Sequence, residues 1–202
     1  TVISGATVTW ATSSSSIATV SSAGLVTSVA DGTATITATS GSASQTATAT
    51  VTQVGSSVTV SPSTNTLASI GDTVTLAATV SDAGGTAISG ATVTWASSDT
   101  TIATVSSAGL VTAVANGTDT ITATSGSASG TAVVTITQVA SSVTLSPSSH
   151  TFSEWSDTVR LAATVKDAGG ATMSGATVTW ASSDTTIATV SSSGIVTAVS
   201  NG

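Results

Sequence analysis

The one histidine of this 202-residue chain, His150, sits beside Ser148 and Ser149, the residue types of a nucleophile and its base. Such a site also needs a carboxylate that orients the imidazole and donors that stabilise an oxyanion. No carboxylate is placed for that task, and Asn65 holds the equivalent position in an earlier copy of the same segment. His150 therefore reads as an exposed loop residue, and the sequence offers no catalytic residue. The acidic residues invite a comparison with calcium sites. Asp72 and Asp157, Asp82 and Asp167, and Asp99 and Asp184 recur in pairs, but calcium takes six to eight oxygens and no Asp-x-Asp or Asp-x-Asn-x-Asp cluster gathers them. Ser14 stands at the position equivalent to Asp99. Turn roles explain these carboxylates better: Asp72 precedes a strand, and Asp82 opens a Gly-Gly turn where it accepts backbone N–H bonds. The expectation is no metal and no cofactor.

One cluster of chemically distinctive residues remains. Both basic residues, Arg160 and Lys166, fall near the C-terminus with His150, Phe152, Glu154, Trp155 and Met173. An exposed Trp155 flanked by Glu154 and Arg160 can stack on a sugar or grip a neighbouring chain. The competing reading is that Phe152 and Trp155 replace Leu67 and Ile70 at the hydrophobic edge of a core, and aromatic-for-aliphatic exchange favours it. His150, Glu154, Trp155 and Arg160 are the candidate interaction surface.

The elements that would position these residues follow from a repeat. Trp10, Trp95 and Trp180 recur at a constant interval, and Gln53 and Gln138, Pro62 and Pro147, and Asp72 and Asp157 recur at the same one. Residues 1–32 match 86–117 at 25 of 32 positions, and 86–117 match 171–202 at 26 of 32. The period of 85 is too long for a solenoid turn and has the size of an independently folding domain. The chain divides into residues 1–54, the C-terminal part of a first copy; 55–139, a complete middle copy; and 140–202, the N-terminal part of a third. The two partial copies lack strands that the middle copy has. The sequence expects each to be completed by chain outside residues 1–202 or by a neighbouring molecule, the first being favoured because residues 1–32 and 171–202 duplicate one another.

Composition fixes the class of fold. Ser and Thr dominate the polar positions, only 5% of the chain is charged, and Val, Ala and Ile make up most of the apolar share, which favours strands. In Asp72–Val80 the alternation of Val74, Leu76, Ala78 and Val80 with Thr73, Thr75, Ala77 and Thr79 has period two, the pattern of a half-buried antiparallel strand. The same reading predicts strands over 91–96, 118–124 and 131–139, and shorter ones over 57–61, 102–105 and 110–114. Asp82-Ala83-Gly84-Gly85, Ser107-Ala108-Gly109, Asn116-Gly117 and Ser125-Gly126 supply the turns. About seven strands with such spacing describe a β-sandwich with Trp95 buried between its sheets. Asn116-Gly117-Thr118 also fits an N-glycosylation pattern, but a tight hairpin turn accounts for Asn-Gly without a glycan.

The net charge of −7 leaves no basic stripe to neutralise phosphates, so nucleic acid is excluded as a partner. No apolar run approaches the ~20 residues a membrane-spanning helix needs. Cysteine is absent, so disulfides and thiolate metal sites are excluded.

The run from Gly90 to Ala123, with Trp95-Ala-Ser, Ile102-Ala-Thr-Val105, Gly109-Leu-Val111 and Gly117-Thr-Asp-Thr-Ile121-Thr-Ala123, resembles the bacterial Ig-like domain, group 2 family. The resemblance implies tandem immunoglobulin-like antiparallel β-sandwich domains that space out extracellular or cell-surface proteins such as adhesins and surface-layer proteins. Its implied role is a non-enzymatic stalk or fibre segment. The alternative is a binding or decoration module for carbohydrate or a surface partner, including on a virion surface. The partners expected are neighbouring Ig-like repeats or like chains, and a cell-surface carbohydrate or protein.

Overall fold

A computed structural model describes residues 5–201 of the chain. The expected breaks in mid-copy, at Thr1 and at the Asn201-Gly202 turn, reach residues outside that span. All regular structure among the described residues is β, as alternating Thr and β-branched residues dictate. No helix there is long and apolar enough to cross a membrane.

The first copy contributes β1 (Thr9–Thr12), β2 (Ala18–Val20), β3 (Val26–Ser28), β4 (Gly32–Ser40) and β5 (Ala43–Val51). The middle copy contributes β6 (Ser57–Ser61), β7 (Thr64–Leu67), β8 (Thr73–Thr75), β9 (Ala77–Ser81), β10 (Thr94–Ser97), β11 (Ala103–Val105), β12 (Leu110–Ala113), β13 (Gly117–Ser125) and β14 (Ala128–Ile136). The third contributes β15 (Ala140–Ser146), β16 (Thr158–Arg160), β17 (Ala162–Asp167), β18 (Ala188–Val190) and β19 (Ile195–Ala198).

By contact density the chain forms two compact units. One gathers Thr1–Ser57, Val80–Ala91 and Gly126–Ala128; the other gathers Val58–Thr79, Thr92–Ser125 and Ser129–Gly202. In the first unit, β1 pairs with β4 and β4 with β5, all antiparallel, the second ladder running from Gly32↔Val51 to Ser40↔Ala43. Ala18, Ala34 and Ile36 are its buried apolar residues from the first copy.

In the second unit the strand order β10-β13-β14-β7 forms one sheet and β11-β12-β8 another. Leu76, Val111, Ile121, Val134 and Ile136 form the fully buried core. These are the inward members of the alternation, so a period-two pattern has become one wet and one dry face. The third copy repeats part of this plan with β16-β19-β18 and β15-β17.

Three details differ from the sequence expectation. The strand read over Asp72–Val80 is two strands in two sheets, β8 beside β12 and β9 beside β6. The change of sheet falls at Leu76, whose N–H leaves the ladder to bond the Gly109 carbonyl at 2.9 Å. One ladder is parallel, with Val133–Ile136 of β14 against Thr64–Leu67 of β7.

The third difference concerns the tryptophan, which is half-buried rather than enclosed between sheets. Its ring lies over the backbone of a glycine in all three copies. A Cβ on Gly24, Gly109 or Gly194 would stand 2.8–3.0 Å from Cζ2 of Trp10, Trp95 or Trp180. Each of these glycines has φ near +80° (80°, 78° and 78°), a conformation that other residues adopt at a cost. The Trp and the Gly 14 residues after it (109 − 95) are thus one packing unit.

Candidate interaction surfaces

The aromatic cluster of the third copy lies on the segment 150–155, between β15 and β16. His150 meets Phe152 edge-on, with ring centroids 4.8 Å apart and planes at 76°. Trp155 is 69% exposed, and its Nε1–H donates to Asn201 Oδ1 at 3.4 Å. His150 and Glu154 are also exposed, and with Phe152, Trp155, Ile187 and Asn201 they border a cavity of about 580 Å³. Arg160 is exposed at the end of β16 and is not part of that border. Of the four candidate residues, three are brought together and Arg160 is not. The cavity wall includes Ala198 and Phe152, whose equivalents in the middle copy, Ala113 and Leu67, are buried core residues.

A second group of polar residues was visible in the sequence only as separate repeats. Gln138 follows β14, Asn116 sits in the turn before β13, and Asp167 ends β17. The Gln138 N–H donates to Asn116 Oδ1 at 2.8 Å, and Asn116 Nδ2 donates back to Gln138 Oε1 at 3.1 Å. Held this way, the Gln138 side-chain amide donates to Asp167 Oδ2 at 2.9 Å. The same oxygen accepts the Ile70 N–H at 3.0 Å, while Oδ1 accepts the Ala171 N–H at 2.8 Å and closes its own turn. Asp167 is only 2% exposed. Donation by Gln138 holds its carboxyl below the ordinary carboxylate range; burial opposes this, and the Ile70 and Ala171 N–H groups reinforce it.

The first unit contains the equivalent arrangement. Gln53 N–H donates to Asp31 Oδ1 at 2.6 Å, and Gln53 Nε2 donates to Asp82 Oδ2 at 3.0 Å. Asp82 Oδ1 accepts the N–H groups of Gly84 and Thr86 at 2.9 and 2.8 Å. The Thr86 N–H, followed by the Gln53 amide, lowers its carboxyl pKa.

Asp119 escaped the sequence reading. It lies in β13 among inward-facing residues, 1% exposed, and accepts from the hydroxyls of Ser97 (2.7 Å) and Ser98 and from the N–H groups of Ser98 (3.1 Å) and Asp99 (3.0 Å). An aspartate on the dry side of a strand is itself the signal that could have found it. Asp99 and Asp184 each close a local turn on Thr101 and Thr186, whose hydroxyls lower the two carboxyl pKa values. Among the described residues, no three His, Asp or Glu side chains converge in the manner of a metal site.

The outward faces are hydroxyl-rich. Along β4 and β5 the pairs Thr33↔Thr50, Thr35↔Thr48, Thr37↔Thr46 and Thr39↔Ser44 share the side opposite Ala34 and Ile36. The face is polar and uncharged.

Antiparallel sheets repeated at a constant domain-sized spacing are those of tandem immunoglobulin-like modules. The chain belongs to the bacterial Ig-like domain (group 2) family, whose model matches residues 2–51, 55–136 and 139–202. It is 35% identical over 189 residues to Ice-binding protein 1 of Shewanella frigidimarina, covering 92% of this chain and 21% of that protein. The chain thus spans about a fifth of that relative's length. A crystal structure of domains 4 and 5 of the S-layer protein SbsC aligns at 25% identity and a TM-score of 0.40, covering 67% of this chain and 74% of that one. The Escherichia coli adhesin FdeC aligns at 24% identity and a TM-score of 0.39, covering 69% and 51%.

Proposed function

We propose that the chain is a spacer segment of an extracellular bacterial surface protein, in which residues 1–54, 55–139 and 140–202 belong to successive Ig-like domains. Its partners are its own neighbouring copies or like chains, and it carries no catalytic or cofactor site. The observation behind this reading is the recurrence, one repeat period apart, of one bonded link: Gln53 to Asp82 and Gln138 to Asp167. A device repeated at successive junctions serves an array.

The test is the length of arrays of two, four and six copies of residues 55–139, measured by electron microscopy or small-angle scattering. A spacer lengthens by a constant increment of roughly 30–40 Å per copy, the span of a sandwich of this strand length. Arrays that compact without a constant increment would end the spacer reading.

The exposure of Trp155 supports a second reading, in which the third copy binds a carbohydrate or protein surface through Trp155, His150 and Glu154. Glycan and surface-protein arrays probed with the whole chain test it. Specific binding lost in Trp155→Ala supports this module, and equal signals from chain and variant remove it.

A further inference from the structure

Gly169 carries an unexplained constraint. It is the third residue of the loop Asp167-Ala168-Gly169-Gly170. Gly170 has φ +85°, so the turn itself requires glycine there, whereas Gly169 does not have a positive φ. Its requirement is steric. A Cβ on Gly169 would stand 2.9 Å from the Ile70 carbonyl oxygen and 3.3 Å from Ser69 Cβ, atoms of the preceding copy. At the equivalent Gly84 the only atom within 4 Å is Asp82 Oδ1, at 3.4 Å, because the counterpart of the Ser69–Ile70 turn would fall before residue 1. The clearance at Gly169 is therefore set by the turn it docks against.

The receiving surface is equally specific. The turn from Ala68 to Gly71 is pinned from within the middle copy by Asp72, whose Oδ2 accepts the Ala68 and Ser69 N–H groups at 3.2 and 2.9 Å. That leaves the Ile70 N–H free to donate to Asp167, beside the Gln138 amide. Ser69 is 2% exposed although it lies in a turn. Two donors of one copy converge on one carboxylate oxygen of the next, and the glycine two residues on lets the backbones close up.

We infer that the Ser69–Ile70 turn with Gln138 is a docking surface that selects as its partner a following Ig-like copy bearing an Asp-x-Gly-Gly loop. Asp supplies the acceptor and the first Gly supplies the clearance; together they restrain the junction. This concerns how copies mate, whatever the array carries. The selection extends to the third copy, where Glu154 and Trp155 occupy the positions of Ser69 and Ile70. A glutamate there sets a second carboxylate against the incoming Asp, so that surface rejects an Asp-x-Gly-Gly loop.

The chain lacks cysteine, so paired labels can be placed at will. Thr104→Cys and Thr189→Cys, at exposed equivalent positions in β11 and β18, report the distance between the middle and third copies by pulsed electron resonance. In the full chain, Gly169→Ala, Gln138→Ala and Ser69→Glu should each broaden the distance distribution at least about twofold, because weakly held domains move relative to one another by default. Gly84→Ala should leave it unchanged, and circular dichroism should show all four variants folded. An unbroadened distribution in both Gly169→Ala and Ser69→Glu overturns the inference, as does equal broadening by Gly84→Ala. If one variant fails to fold, Gln138→Ala, which alters a half-buried side chain outside the apolar core, decides.

Discussion

The hairpins β4–β5 and β13–β14 are the same element in successive copies, and they are packed differently. In β14 the inward residues Ala132, Val134 and Ile136 are buried, whereas their equivalents in β5, Ala47, Ala49 and Val51, are exposed or half-buried. The outward rows differ by one residue, Val133 standing where the first hairpin has Thr48. The inward row of β13 has Asp119 where β4 has Ala34, and both are buried. β14 is covered by β7, whose counterpart one period earlier would fall before residue 1, so the inward row of the first hairpin lacks that neighbour within residues 1–202. Alternation assigns the faces, and opposing strands supply the burial.

The largest expected effect tests that difference directly. Ile136→Ala removes a side chain that is 1% exposed and should destabilise the middle copy by about 2–5 kcal/mol. Val51→Ala, at the half-buried equivalent, should destabilise by less than about 1 kcal/mol. Denaturant unfolding of each variant checks the pair, and equal losses would mean that the two hairpins are packed alike. Trp95→Ala should destabilise by about 2–4 kcal/mol, below the range for a fully buried tryptophan because the ring is half exposed.

Asp119→Ala gives the middle hairpin the residue of the first. The hydroxyls of Ser97 and Ser98 then lose their shared acceptor inside the fold, and a loss of about 1–3 kcal/mol is expected in the same measurement. Unchanged stability would show that the serines rebond at no cost. Gly109→Ala and Gly24→Ala share a left-handed φ worth about 1–2 kcal/mol. Gly109→Ala should exceed Gly24→Ala, since its Cβ also runs into the Leu76 carbonyl oxygen, a backbone atom that cannot turn aside. Thermal unfolding ranks them.

The smallest effect is that of pH. Asp82, Asp99, Asp167 and Asp184 all have carboxyl pKa values lowered from 3.8, each by donated hydrogen bonds. A depressed folded-state pKa contributes stability that is complete above the unfolded value and is lost as pH falls through the folded one. Melting temperature should therefore be flat from about pH 5 to 9 and decline only in acid below 3.8. A transition near neutral pH would break this expectation.

Much of the molecule is legible in the sequence because its information is local or periodic. The all-β class follows from Thr and β-branched residues, the inward rows follow from a period of two, and the turns follow from Gly, Asn and Asp in short clusters. The tandem plan was legible because duplication leaves identity at fixed spacing. The role of Asp82 in its turn was also legible, since an Asp before two glycines has its acceptors and donors within four residues. Other features depend on where distant segments land. The break at Leu76 arises because its N–H finds a carbonyl far along the chain, at Gly109. The parallel ladder of β7 with β14 joins residues that no alternation pattern links. The meeting of Gln138 and Ile70 on Asp167 spans separations of 29 and 97 residues. In the sequence these are a polar residue after a strand, an apolar one in a turn and an aspartate in a loop. Hydrogen bonds act over about 3 Å, so only the tertiary structure could decide that the three share one oxygen.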